Sequence, residues 1–204
     1  MIPDWLKFKK YPHIGIPLTK KKDAGWIMEY VTNSDKIANH KFTPLLHKKI
    51  YQRKYRPSYD ALKNKFGKKQ RSVQEPKERP IFYASHLDSI VYSYYSHKLT
   101  EAYENYLQEK EYGISAVAYR KIPIVKGKIG NKSNIEFAFE TFKFIEENKH
   151  QKLSMIVADV TSFFDNLNHR ILHNQWKRIL NTNNLHADHY RSEERRVGKD
   201  CRYR

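Results

Sequence analysis

Cysteine is nearly absent from this chain. Its one cysteine is Cys201, so no intrachain disulfide can form, and the paired spacing of a thiolate metal site does not occur. That usage fits a reducing compartment, and a cytoplasmic location is the expectation. Glycine is scarce too, at 7 of 204 residues, and no repeat or low-complexity tract is present. No apolar run approaches the ~20 residues that a membrane span needs. The stretch Met1-Ile2-Pro3-Asp4-Trp5-Leu6-Lys7 lacks the apolar core of a signal peptide. No membrane association is expected.

Acidic residues are few against the basic ones. Lys and Arg number 39, Asp and Glu 22, and the net charge is +17. A surplus of that size points to a polyanionic partner, nucleic acid above all. The 15 Tyr and 10 Phe add flat rings on which single-stranded bases stack. The aromatic content also excludes a disordered composition.

The last fourteen residues, Arg191 to Arg204, resemble a translated short-read sequencing adapter and depart from it only at Asp200 and Tyr203. They are expected to be an artefact, with the natural frame cut near Tyr190. They hold six basic and three acidic residues, so the surplus without them falls from 17 to 14. The basic character survives; the cysteine does not.

Hydrophobic spacing and punctuation give a coarse order of elements. Residues 1–35 are mixed, and Tyr11–Leu18 reads as extended because proline is spaced through it. A basic amphipathic segment runs over about Lys36–Tyr55. Lys63–Arg71 is charged and exposed. Val73–Ala84 reads as a strand pair or loop with proline at its edges. His86–Glu109 has helical spacing in Leu87, Ile90, Val91, Tyr94 and Leu99, with Asp88 placed to suit the helix dipole. Tyr112–Ser133 is a basic loop or hairpin with turn signals at Gly127-Lys128 and Gly130-Asn131. Asn134–Asn148 is an amphipathic helix whose Ile135, Ala138, Phe139, Phe142 and Ile145 share a face; Ser133 or Asn134 can cap it. Ile156–Val160 reads as a short buried strand. A final helix over about Asn168–Leu180 carries Ile171, Leu172, Ile179 and Leu180 on one side, and Asp165 or Asn166 can cap it.

The stretch Ile156-Val157-Ala158-Asp159-Val160-Thr161-Ser162-Phe163-Phe164-Asp165 is the most informative. An apolar β-branched run ends in a carboxylate, which is costly to bury without a cation or donors. An aromatic stands five positions on. This pattern resembles motif A of reverse transcriptases. Three further blocks resemble the same family in the same order. His40-Lys41-Phe42-Thr43-Pro44 is similar to a stretch found before the fingers in defence-associated and abortive-infection-like bacterial members. Lys77-Glu78-Arg79-Pro80-Ile81 is similar to a fingers motif. Tyr119-Arg120 with the later Gly130–Asn134 turn is similar to the next block, though Lys121–Ile129 stands inserted. Retron and intron-encoded enzymes are the next resemblance.

The resemblance implies an α+β, helix-rich, partial right-hand fold: an N-terminal extension over 1–62, fingers over 63–150, and the start of a palm over 151–190. It implies RNA-directed DNA polymerase chemistry, templated nucleotidyl transfer with two Mg²⁺. Asp159 and the backbone carbonyl of Val160 would be metal ligands, Asp159 the catalytic carboxylate. Lys77, Arg79 and Arg120 would face the nucleotide; arginine suits phosphate because its planar fork grips two oxygens. Phe164 would exclude a 2′-hydroxyl beneath the incoming sugar. Partners would be a nucleic-acid template and primer and deoxynucleoside triphosphates. Motif C, usually Tyr-x-Asp-Asp, is missing: the chain has no Asp-Asp pair. An inactive fragment of such an enzyme is therefore the expectation. A non-catalytic nucleic-acid-binding module is the alternative, and a helical protein-interaction domain a third.

Overall fold

The computed structural model describes residues 2–52, 56–57, 71–72, 75–125, 127, 130–161 and 163–190. The expected charged stretch from residue 63 to 70 and the adapter-like tail from 191 lie outside them. The architecture is mixed, with five α-helices and two small antiparallel ribbons among the described residues. None of these helices is long and apolar enough to cross a membrane.

The chain forms two compact units. One comprises the described residues up to His97 together with Leu185–Tyr190; the other comprises Lys98–Asn184. The border falls inside one long helix. Such a border marks where contacts separate, whereas the expected boundaries at 62 and 150 divide the chain by family function.

In the first unit, α1 (Lys20–Thr32) and α2 (Ser34–Ala38) come after an extended start. The mixed pattern of 1–35 gives no sign of α1. Asp23 helps set its beginning, accepting from the Thr19 N–H at 2.7 Å. The Asn33 side chain caps α2, accepting from the Lys36 N–H at 2.9 Å. The long helix α3 (His86–Glu109) has the bounds that its spacing implies. Its first half buries Ile90, Val91 and Tyr95 against Ile27, Val31, Ile37, Trp5 and Leu6. Each such aliphatic side chain contributes roughly 1.5–3 kcal/mol on burial. The irregular N-terminal segment is fixed by its own bonds: the Ser93 hydroxyl donates to the Trp5 carbonyl at 2.6 Å, and Tyr11 donates to Ala84 O at 2.8 Å.

The amphipathic segment around residues 36–55 resolves into α2 and a strand. β1 (Leu46–Gln52) pairs antiparallel with β4 (Lys77–Tyr83), with Leu46 opposite Tyr83 and Gln52 opposite Lys77. Pro80 sits inside β4, which a two-stranded ribbon tolerates because every strand is an edge. β2 (Arg56–Pro57) and β3 (Arg71–Ser72) form a second, very short pair.

Between α2 and β1 the chain is tied to α3 by a buried carboxylate. Asp88, 1% exposed, accepts from His40 Nε2 at 2.9 Å, the Thr43 N–H at 3.0 Å and the Thr43 hydroxyl at 2.8 Å. A carboxylate only accepts, so Nε2 carries the hydrogen. In the neutral ring Nδ1 then accepts from the Tyr30 hydroxyl, 2.7 Å away. The Asp88 N–H donates to Ser85 Oγ at 3.1 Å, which caps α3. Burial pushes the Asp88 carboxyl up, but the bonds from His40, Thr43 and Ser85 outweigh it and hold the group below its ordinary value.

In the second unit, α4 (Asn134–Glu147) begins in a full capping box. Ser133 Oγ accepts from the Ile135 N–H, and Glu136 accepts from the Ser133 N–H at 2.7 Å. Before it, the loop folds back as the turn signals imply: Lys132 N–H donates to Ile122 O at 2.8 Å, and Ile124 N–H to Gly130 O at 3.2 Å. Gly130 has φ 122, a conformation other residues rarely adopt. Helix α5 (His169–Ile179) is capped by Asn168, not Asp165 or Asn166: Asn168 Oδ1 accepts from the Ile171 N–H at 3.1 Å. Its one buried side chain is Trp176, which shares the expected apolar side with Leu172, Ile179 and Leu180, while Ile171 is exposed.

Asp88→Ala should cost about 3 kcal/mol, the range for stripping one partner from a buried pair. The sign with pH is fixed by the lowered carboxyl: its contribution is complete above the ordinary carboxylate value and is lost as pH falls through the folded one. Urea unfolding should show Asp88→Ala losing most at pH 6 and progressively less below about pH 4. An equal loss at every pH would contradict the tie.

Candidate functional site

Lys77 and Arg79 stand on β4, two residues apart, so both project from the same face of the ribbon. Pairing adds their neighbours. Gln52 is opposite Lys77, Ile50 opposite Arg79, and Lys48 opposite Ile81, all on that face. Lys48, Lys77 and Arg79 are exposed. Arg79 Nε donates to Gln52 Oε1 at 3.0 Å, which orients the guanidinium without neutralising it. The other face carries Lys49 and Glu78, joined at 2.7 Å, and the stacked rings of His47 and Phe82, 4.8 Å between centroids. One face thus neutralises itself, while the other presents three cations that no carboxylate among the described residues pairs.

Asp159 lies in the second unit, and the strand expected around it is not formed. Residues 152–160 have no regular secondary structure and all are exposed; Ile156 is 92% exposed and Val157 83%. A β-branched run becomes a strand only when a neighbour takes its backbone N–H and C=O groups. Among the described residues none does. Asp159 is thus a solvated carboxylate on irregular backbone, with Val160 beside it. Phe164 lies within a single 3₁₀ turn, Phe163–Asn166, and its side chain is outside the described residues.

Helix α4 shares this exposure. Its expected core face is open to solvent, with Phe139 67% and Phe142 71% exposed. The amphipathic face that Ile135, Phe139 and Phe142 share is present but has no cover among the described residues.

Arg120 is held in a closed set of bonds. Its Nε and one terminal nitrogen donate to the two oxygens of Glu104 at 2.8 and 2.7 Å. The other terminal nitrogen donates to Gly113 O at 2.9 Å and Ala116 O at 2.6 Å. The bond from Arg120 holds the Glu104 carboxyl below its ordinary value. This fork ties the second half of α3 to the turn after it, Tyr112–Ile114. The neighbouring Tyr119 adopts a left-handed conformation with φ 61, and the residue is 98% exposed.

Mg²⁺ takes oxygen ligands in an octahedron, several of them waters and substrate phosphates. Asp159 and the Val160 carbonyl are suitable atoms. They are too few alone, and no group of three or more metal-ligating side chains occurs among the described residues. The described residues therefore do not by themselves fit a two-cation centre.

Two buried carboxylates escape a reading of the sequence. Asp88 presents itself there only as a dipole partner. Asp188, 2% exposed, accepts from the Tyr95 hydroxyl, from His186 Nδ1 at 2.9 Å and from the His189 N–H at 2.9 Å. Burial pushes both groups of the Tyr95–Asp188 pair up; the hydrogen bonds bring Asp188 below its ordinary value, and the carboxylate raises the phenol further. The signal for Asp88 is a polar residue inside an apolar helical stripe; for Asp188 it is a histidine on either side.

Comparison with known proteins returns no matching family model and no matching curated protein.

Arg120→Ala should destabilise the second unit by about 2 kcal/mol, since it removes a bidentate charged pair and leaves partly buried carbonyls unmet. Arg120→Lys keeps the charge but not the fork, and should recover less than half of the loss. Hydrogen exchange of the Tyr112–Ala116 amides resolves the effect locally; protection unchanged in both variants would rule out the structural role.

Proposed function

We propose that this chain is the fingers and first palm segment of a bacterial-type reverse transcriptase, whose intact form extends a primer with deoxynucleotides on a nucleic-acid template. The observation that carries the reading is the ribbon face. The Lys77-x-Arg79 pattern, singled out for its likeness to the fingers motif, lies on an exposed strand with both cations on one face and a third, Lys48, beside them. Such a face suits phosphate-bearing substrates. The net charge of +17, of which 14 remains without the adapter-like tail, supports the same partner class.

Support also comes from order. The segment before β1, the ribbon, the loop that leads into α4 and the Asp159 segment carry the four sequence blocks in that order. Asp159 would be the first metal-binding carboxylate and Phe164 the group under the sugar. Arg120 is bound to Glu104 and is assigned to the scaffold in this reading. The open face of α4 and the unpaired stretch around Ile156 are what a palm sheet would cover. The remaining carboxylates would come from a Tyr-x-Asp-Asp hairpin encoded beyond residue 190.

A non-catalytic nucleic-acid-binding module is the second reading. It rests on the same basic face together with the solvated, lone Asp159.

The gene itself distinguishes them. Sequencing the natural locus past the codon for Tyr190 should show an Asp pair in frame; a stop codon or a long frame without one would sink the polymerase. The 204-residue chain, mixed with primer, template, deoxynucleotides and Mg²⁺, should extend nothing, because one carboxylate cannot hold two cations. Templated extension that Asp159→Ala abolishes would reverse that conclusion. In the intact enzyme Phe164→Ala should narrow the preference for deoxy- over ribonucleotides, by about tenfold if the steric contribution is near 1.4 kcal/mol. An unchanged ratio in primer extension would show Phe164 to be packing only.

A further inference from the structure

We propose that the loop Tyr11–Leu18 is a docking tip for an anionic lipid surface, on which Ile14 and Ile16 enter the apolar boundary while the flanking lysines meet the headgroups. Neither the ribbon nor Asp159 takes part. Ile14 is 86% exposed and Ile16 84%, whereas the other described isoleucines of the first unit are 39% exposed or less. Two neighbouring aliphatic side chains held that far into water contribute little to the fold and are free for a partner.

The loop is fixed along its length. At its start the Tyr11 hydroxyl donates to the Ala84 carbonyl at 2.8 Å, and His86 Nε2 donates to the Tyr11 carbonyl at 2.9 Å. Inside it the Gly15 N–H donates to His13 Nδ1 at 3.2 Å. At its end Leu18 packs against the core. Pro12 and Pro17 restrict φ on either side of the isoleucines. The side chains are thus presented on a preorganised backbone, and contact does not have to order it.

Charge defines the surface. Lys9 and Lys10 precede the loop and Lys20, Lys21 and Lys22 follow it; all five are exposed, and none forms an ion pair among the described residues. The last three fill the first turn of α1, where the macrodipole disfavours cations. The acid of that turn, Asp23, is engaged by the Thr19 N–H and by Trp26 Nε1 at 3.1 Å. A local rule broken without a structural gain is expected at a functional site. An apolar tip between cations fits a bilayer with anionic headgroups: isoleucine gains by leaving water, lysine gains by meeting phosphate, and its long stem keeps the ammonium at headgroup level. Single-stranded nucleic acid meets only half of the pattern, because bases stack on flat rings and isoleucine has none. Contact of this kind requires no spanning helix, so it is compatible with the absence of one among the described residues.

Flotation of the 204-residue chain with phosphatidylcholine vesicles, with and without phosphatidylglycerol, tests this. The chain should float with the anionic vesicles only. Combining Ile14→Ser with Ile16→Ser should weaken that binding about tenfold. Lys21→Ala should weaken it about fivefold, and Lys152→Ala, an equal loss of charge at an exposed position of the second unit, by less than about twofold. Thermal unfolding of the double variant should match that of the unmodified chain; where it does not, Lys21→Ala against Lys152→Ala decides alone. Full binding by a folded double variant, or equal losses in the two lysine variants, would overturn the tip in favour of diffuse charge. Absence of flotation by the unmodified chain would overturn it outright. So would a loss in the double variant seen with a single-stranded oligonucleotide and not with vesicles, which would assign the loop to nucleic acid.

Discussion

The Asp88 carboxylate is the constraint on which the first unit depends. It is buried, and a buried charge must be met by donors or the fold loses more than it gains. His40 and Thr43 meet it, and they are three residues apart in the segment that joins α2 to β1. Their positions therefore set where that segment crosses α3. The crossing in turn sets where β1 begins, and its register with β4 decides which lysines share a face with Arg79. The His-x-Phe-x-Pro likeness thus has a physical content in this chain: one histidine and one threonine on a single carboxylate, with Phe42 stacked on Tyr92 between them at 5.3 Å.

The two units differ in how they satisfy their apolar residues. The first closes Ile27, Val31, Ile37, Ile90 and Val91 to complete burial. The second leaves phenylalanines on α4 and the β-branched run before Asp159 in solvent. Local signals suffice to build α4, whose capping box and turn are short-range. They do not suffice for a strand, which needs a partner from elsewhere in sequence. That difference accounts for a well-formed helix standing next to an unformed strand.

The same difference governs what is legible in the sequence. The bounds of α3 and the start of α4 come from periodicity and caps, which are written locally. Helix α1 is obscured by its lysines and by Gly25, and its buried stripe is only Ile27 and Val31. β1 is hidden because a basic strand exposed on both faces has no alternation to read. At the candidate site, Lys77 and Arg79 are visible as a motif, but Lys48 is not, because cross-strand proximity is set by register. The engagement of Arg120 with Glu104 is equally out of reach, since sixteen residues separate the two.

Residues 185–190 return to the first unit after the whole of the second has been traversed. Asp188 supplies the acceptor for the buried hydroxyl of Tyr95, in the middle of α3. The second unit is thereby an insertion with both ends anchored in the first. Shortening the chain from its C-terminus would consequently be felt first in the N-terminal core. Loss of a few residues around Asp188 orphans a phenol nearly a hundred positions away, while α4 and α5, much nearer the cut, keep every bond described for them.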